Sequence, residues 1–321
     1  MGGIDIIGDV HGHADALVAL LSKLGYRERK GVWRHPERTA LFVGDFIDRG
    51  PSQERVLEIV RSMCEASAAD AIMGNHEYNA VCFATPDPEA SGEHLRPHTD
   101  KNENQHREFL EQFDSLRTWS QSHREWIDWF RTLPLWLERD GLRVVHACWD
   151  PASQATLRPW LDAAQRLFEA GFVATSRKGT AEHEAVETVL KGLEIQLPHG
   201  ATFKDKDGHE RDAIRVKWWS SDPMSYRDGA LIDDKARKNL PEDPIPWDRL
   251  PGYREELPVF VGHYWLEGTP APQSDRVACV DYSIAKGGKL CAYRWQGEAI
   301  LRQDRFAWVA MPYTKLQTPG D

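Results

Sequence analysis

Residues 3–12 read Gly3-Ile4-Asp5-Ile6-Ile7-Gly8-Asp9-Val10-His11-Gly12, a short apolar run that ends in glycine and then presents a carboxylate and an imidazole. A run of this length predicts a largely buried strand over 3–8. The pattern recurs twice. A strand near 39–44 leads into Gly44-Asp45-Phe46-Ile47-Asp48-Arg49-Gly50, and one near 70–73 leads into Gly74-Asn75-His76-Glu77. Between them Ala16, Leu17, Ala19, Leu20 and Leu24, then Val56, Leu57, Ile59, Val60 and Met63, recur at helical spacing. Pro51 stands where the second helix would begin, a position that tolerates its missing N–H. This alternation predicts β-α-β units on a buried sheet. Ligands gather at the carboxyl ends of such strands, where glycine permits the sharp turns that let side chains converge.

The rest of the chain extends the pattern. Residues 85–130 interrupt it with prolines, histidines and dense charge before an aromatic helix around Trp126, Trp129 and Phe130; the expectation is an inserted helical cap with His94, His98 and His106 solvated. Leu135 to Glu138 and Leu142 to Val145 flank Asp140-Gly141, a hairpin signal that predicts the start of a second sheet. Helices are expected near 155–170 and 181–191, a Pro-rich loop over 241–258 (Pro241, Pro244, Pro246, Pro251, Pro258), and strands near 257–262, 277–282, 289–296 and 306–311. Lys289 follows Gly287-Gly288 but lacks the rest of a P-loop, so a hairpin turn is expected there. Two of the later apolar runs close on histidine, at Val144-Val145-His146 and Val261-Gly262-His263. No fixed-period repeat appears, and one domain over 1–321, with the insert at about 85–130, is the expected organisation.

Composition narrows the function classes. The 321 residues are 41% hydrophobic and 28% charged, ordinary for a globular protein, and the net charge of −10 argues against a protein that tracks a nucleic-acid backbone. Cys64, Cys82, Cys148, Cys279 and Cys291 are odd in number and contain no C-x-x-C pair, which points to reduced thiols and a cytoplasmic location. The start Met1-Gly2-Gly3-Ile4-Asp5-Ile6 has no secretory pattern and no acylation pattern, and no apolar run is long enough to span a membrane.

Asp9, His11, Asp45, Asn75, His146 and His263 thus offer two carboxylates, one amide and three imidazoles. Singly, each is an ordinary turn residue or core histidine. Together they form a hard-oxygen and nitrogen donor set suited to Mn²⁺, Fe, Zn²⁺ or Co, with no thiolate of the kind that marks a closed structural zinc site. Two carboxylates meeting in a crevice would repel one another unless a cation lay between them.

The ordered set G-D-x-H-G, G-D-x-x-D-R-G, G-N-H-E and two later histidines resembles the metallophosphoesterases of the phosphoprotein-phosphatase superfamily, which includes diadenosine tetraphosphatases. The resemblance spans residues 8–263 and implies a calcineurin-like four-layer α/β/β/α sandwich. It further implies that Asp9, His11 and Asp45 hold one divalent ion, and that Asp45 is shared with a second ion held by Asn75, His146 and His263. By the same resemblance a metal-bridging hydroxide attacks phosphorus, His76 protonates the leaving oxygen, Asp48 orients His76, and Arg49 clamps the phosphate. Such a carboxylate-held imidazole is a sound general acid, and arginine's planar fork matches phosphate oxygens. In the carboxyl third, Gly262-His263-Tyr264-Trp265, Ala278-Cys279-Val280-Asp281, Gly287-Gly288-Lys289-Leu290 and Arg294-Trp295 are similar to bacterial diadenosine tetraphosphatases, whereas Trp219-Ser220-Ser221-Asp222-Pro223 is similar to protein Ser/Thr phosphatases.

The chain departs from the family pattern at Met73, where protein phosphatases carry arginine before G-N-H-E, and at Cys148, where glycine is usual after the histidine. Arg227, Arg215 and Arg177 are all open as a second phosphate contact. Cys148 is expected to be a small buried thiol. Trp218, Trp219, Trp265 and Trp295 either pack or stack on a base. The function expected is metal-dependent hydrolysis of a phosphomonoester, phosphoprotein included; the alternatives are cleavage of a dinucleoside polyphosphate or related nucleotide, and a catalytically silent binding scaffold.

Overall fold

The structure is a computed structural model that describes residues 2–113, 119–204, 208–250 and 252–311. Positions 114–118 of the expected insert and Pro251 lie outside the described residues.

Two sheets form the centre. In the first, strand Gly3–Ile7 lies parallel to Arg38–Phe42, which lies parallel to Ala69–Ala71; on its other side Gly3–Ile7 pairs antiparallel with Lys289–Trp295, which also carries Asp281–Tyr282 and Phe306–Ala310. In the second, Val259–Val261 is flanked in parallel by Val277–Cys279 and Leu142–Val145, and the hairpin partner Trp136–Arg139 closes the edge. Alternation along each strand decides what lies between the sheets. Ile4, Ile6, Leu41, Val43 and Ile72 from the first meet Leu142, Val144, Phe260, Ala278 and Val280 from the second in one buried cluster. The opposite faces bury their apolar residues beneath helices.

Helix Ala14–Leu24 covers the outer face of the first sheet and ends at Gly25, whose φ of 99° turns its N–H back onto the carbonyls of Leu21 and Ser22. Of the expected core stripe, Ala19 is exposed, and Leu21 is buried instead. Helix Gln53–Glu65 begins after Pro51 and Ser52 and buries all five expected residues, Val56, Leu57, Ile59, Val60 and Met63. Helices Pro151–Leu157 and Ala181–Lys191 pack together on the second sheet's side, where Ala147 donates its N–H to the Val189 carbonyl at 3.0 Å. The hairpin turn has positive φ at both Asp140 (53°) and Gly141 (87°), as a type I′ turn requires. Gly287-Gly288-Lys289 likewise feeds a strand rather than cradling an anion.

One expectation needs correction. The helix expected near 155–170 stops at Leu157, where Arg158-Pro159-Trp160 tightens into one 3₁₀ turn, and a separate helix, Glu169–Ser176, follows. The insert contains a regular helix, Asp100–Gln112, besides the aromatic one, Gln121–Phe130. Among the described residues no helix is long and apolar enough to cross a membrane.

Candidate metal centre

All six expected donors gather at one end of the sandwich. Asp9, Asp45 and Asn75 follow the ends of the first sheet's parallel strands, while His146 and His263 follow the ends of Leu142–Val145 and Val259–Val261 in the second. Asp45 is central. Its Oδ2 lies 3.3 Å from His146 Nε2, 3.7 Å from His11 Nε2 and 4.0 Å from His76 Nε2. Asn75 Oδ1 lies 3.1 Å from His146 Nε2 and 2.8 Å from His263 Nδ1. His11, Asp45 and His76 form one group able to hold a metal ion, and Asp45, His146 and His263 form another.

Proton placement makes this arrangement informative. His11 Nδ1 meets the Ile47 carbonyl at 2.9 Å and His146 Nδ1 meets the Val43 carbonyl at 2.7 Å. A carbonyl only accepts, so each Nδ1 donates, and a neutral ring turns its Nε2 lone pair toward Asp45. Lone pairs facing a carboxylate repel unless a cation separates them. Asp9 Oδ1 and His11 Nε2 are moreover buried without a hydrogen-bond partner, a situation that native interiors avoid unless a ligand completes it. The donor set therefore fits divalent cations.

The electrostatics agree. Burial raises Asp9 well above the usual carboxylate range, and the charges of Asp281 and Asp45 push it the same way. Burial would also raise Asp45, but the imidazoles of His146, His76 and His11 outweigh it and hold Asp45 well below that range. His146 rises to about 10: burial opposes its charge, but Asp45 prevails. His11 falls to about 4 through burial and the neighbouring His76.

Backbone strain concentrates here. His11, Asp45, Asp48, Arg49, His263 and Trp265 all have φ between 45° and 74°, a region that costs L-residues roughly 1–2 kcal/mol each. Glu77, quoted in a motif but given no role in the sequence reading, explains how one such loop is held. Its carboxylate accepts the N–H groups of Asp45 (2.8 Å), Phe46 (2.8 Å) and Gly74 (3.0 Å). Gly74 itself must be glycine, since a Cβ there would lie 2.2 Å from Asp45 Oδ1. Asp281, also given no role in the sequence reading, accepts the N–H groups of Trp265 and Ser283 and so supports the loop after His263.

Asp48 Oδ2 lies 2.5 Å from His76 Nδ1. Arg49 is exposed and, among the described residues, has no hydrogen-bond or ion-pair partner. His106 is not solvated as expected: it is buried, with Nδ1 2.9 Å from Asp48 Oδ1. Met73 and Cys148 are buried, and burial raises the Cys148 thiol well above its ordinary range. Trp218, Trp219 and Trp295 are packed, whereas Trp265 is half-buried with its ring 5.7 Å from that of His11. Of the three open arginines, Arg177 is paired with Asp87, and Arg227 with Glu242 and the Leu240 carbonyl. Arg215 alone reaches the centre, its Nη1 3.4 Å from His263 Nε2.

The comparisons with known proteins agree with this geometry. The calcineurin-like phosphoesterase family matches residues 3–263. The bis(5'-nucleosyl)-tetraphosphatase PrpE [asymmetrical] of Halalkalibacterium halodurans is 47% identical over 73 residues, covering 22% of this chain and 30% of its own length, so the match spans under a third of that relative. The symmetrical bis(5'-nucleosyl)-tetraphosphatase of Hamiltonella defensa is 25% identical over 310 residues, 91% of this chain and 93% of its own. A cold-active protein tyrosine phosphatase shares the fold at a TM-score of 0.50, with 16% identity over 97% of this chain and 78% of its own. With the family matched over residues 3–263, which include every sequence block that carries a candidate donor, the chain belongs to the calcineurin-like phosphoesterases.

Proposed function

We propose that this chain is a metal-dependent phosphoesterase that hydrolyses a phosphomonoester, phosphoproteins included. The observation that carries the reading is the convergence of three imidazole Nε2 atoms on Asp45 Oδ2 with two of the three Nδ1 protons committed to backbone carbonyls. Asp9, His11 and Asp45 would hold one divalent ion, and Asp45, Asn75, His146 and His263 a second; manganese is the first choice, with iron, zinc or cobalt as alternatives. Ions there would supply Lewis acidity, lowering the pKa of bound water and offsetting charge on phosphoryl oxygens.

The chain's own groups do the rest. Arg49, with its guanidinium uncommitted, and Arg215, beside His263, fork onto the phosphate. Burial disfavours charge on His76, but Asp45 and Asp48 outweigh it and keep its pKa raised. His76 is therefore a competent proton donor to the leaving oxygen, with Nδ1 held by Asp48 and Nε2 turned toward the cluster. The departing group leaves as the neutral alcohol.

A second reading, cleavage of a dinucleoside polyphosphate, is supported by the names of the relatives, one of them aligned along 91% of this chain. Both readings use the same residues. Purified protein with Mn²⁺ is expected to hydrolyse p-nitrophenyl phosphate and phenyl phosphate and to lose both on Asp45→Asn, whereas His76→Asn should lose mainly phenyl phosphate, whose poor leaving group needs the proton; no turnover with any divalent metal would instead indicate a binding scaffold. Comparing kcat/KM for a phosphopeptide and diadenosine tetraphosphate then separates the two substrate classes.

A further inference from the structure

We infer that His106, carried by the inserted helix Asp100–Gln112, is a positioning residue that completes a His106–Asp48–His76 chain and fixes His76 for proton transfer. The inference rests on the reading of His76 as proton donor and adds to it a residue from outside the family's sequence blocks.

Asp48 has two carboxylate oxygens and uses both. Oδ2 takes His76 Nδ1 and Oδ1 takes His106 Nδ1 at 2.9 Å. A carboxylate bound on one oxygen can swing about its terminal torsion, which is broad; bound on both, its plane is fixed, and so is the ring of His76. His106 is held in turn. Its ring stacks on Phe109 at 4.9 Å and 22°, meets Phe83 edge-on at 5.5 Å, and its Nε2 is buried without a partner. A carboxylate oxygen only accepts, so His106 acts as a fixed Nδ1–H donor to Asp48.

The same helix braces the loop a second time. Gln112 Oε1 accepts the N–H groups of Gln53 at 2.5 Å and Glu54 at 3.2 Å, and the Gln53 side chain in turn accepts the Asp48 N–H at 2.8 Å. Asp48 also sits at a φ of 68°, a conformation that persists only where its surroundings over-determine it. The insert thus grips the loop through its backbone at one end of the helix and through the Asp48 side chain near the middle.

A leaving-group series tests this. With Mn²⁺-loaded protein, kcat and KM are measured on aryl phosphates from p-nitrophenyl to phenyl phosphate for wild type, His76→Asn, His106→Phe, His106→Asn and Gln112→Ala, with a melting curve for each. General acid help is worth about 10²- to 10⁴-fold, so loss of positioning should show as roughly a tenfold fall in kcat on phenyl phosphate. On p-nitrophenyl phosphate, whose phenol leaves without protonation, kcat should barely change, and KM should hold throughout. His106→Asn, whose side-chain N–H replaces Nδ1–H, should recover most of the loss. If His106→Phe loses equally on all substrates, as Gln112→Ala does, the helix merely braces the loop and the inference fails; it fails equally if His106→Phe matches wild type while His76→Asn shows the leaving-group dependence. A flat series for His76→Asn overturns the proton-donor reading and this inference together.

Discussion

Two buried aspartates, four residues apart, show how differently one strand treats the same functional group. Asp5, inside strand Gly3–Ile7, is fully buried and answered on the spot: Arg38 Nε lies 2.9 and 3.0 Å from its two oxygens, and Arg294 Nε 3.2 Å from Oδ1. Asp9, just beyond the carboxyl end, is as deeply buried, but it has an oxygen with no partner and carboxylates for neighbours. A buried charge without a partner is not tolerated in a finished interior. Asp5 is complete in the protein alone; Asp9 leaves one oxygen unanswered, as the proposed metal site requires.

Substitutions should separate the two. The largest effect expected is on turnover: Asp45→Asn or Asp9→Asn should lower kcat by about 10³-fold or more, because metal-derived charge stabilisation is worth several kcal/mol, while Asp5→Asn should leave kcat per folded molecule within twofold. Activity against p-nitrophenyl phosphate, normalised to the folded fraction, reads both. Next in size, Asp5→Asn should cost about 3 kcal/mol of stability, since it strands the buried Arg38; a loss of under 1 kcal/mol in the unfolding free energy from urea melts would show that the pairing is worth no more than a surface one. Asp9→Asn should carry no such penalty in chelator-treated protein.

Manganese is expected to sharpen the contrast further. At 100 times its dissociation constant a ligand specific for the folded state stabilises by about 2.7 kcal/mol, so the melting temperature of wild type and of Asp5→Asn should rise by several degrees, and that of Asp9→Asn, which keeps only the second set of ligands intact, should rise less. Scanning fluorimetry with and without EDTA reads this. The smallest effect belongs to the far hairpin: Gly141→Ala, which forces a Cβ onto a residue at φ 87°, should cost roughly 1 kcal/mol and leave both turnover and the manganese response intact.

Much of this was legible in the residues because strand ends announce themselves. An apolar run followed by Gly8-Asp9, Gly44-Asp45 or Gly74-Asn75 carries both the local fold and the candidate donor in a few letters, and those strand ends lie together in the structure. What escaped depends on partners distant in sequence. Helix Asp100–Gln112 is polar on most of its surface, burying only His106, Phe109 and Leu110, too narrow a stripe to stand out within a charged insert. The role of Glu77 rests on backbone groups some thirty residues away, which no spacing rule reaches. The misplaced helix near 155–170 had its warning in Pro159, which ends the helical run after one 3₁₀ turn.

The donors come from both sheets: Asp9, Asp45 and Asn75 from one, His146 and His263 from the other. Any cations seated between them would rivet the two halves of the sandwich at a single end, while the apolar layer holds them along the remainder. Stripped of those cations, the molecule should breathe like a hinged book, with amide hydrogen exchange quickening first at residues 43–50, 145–148 and 261–265 and the spine near Leu142, Phe260 and Tyr293 staying shut.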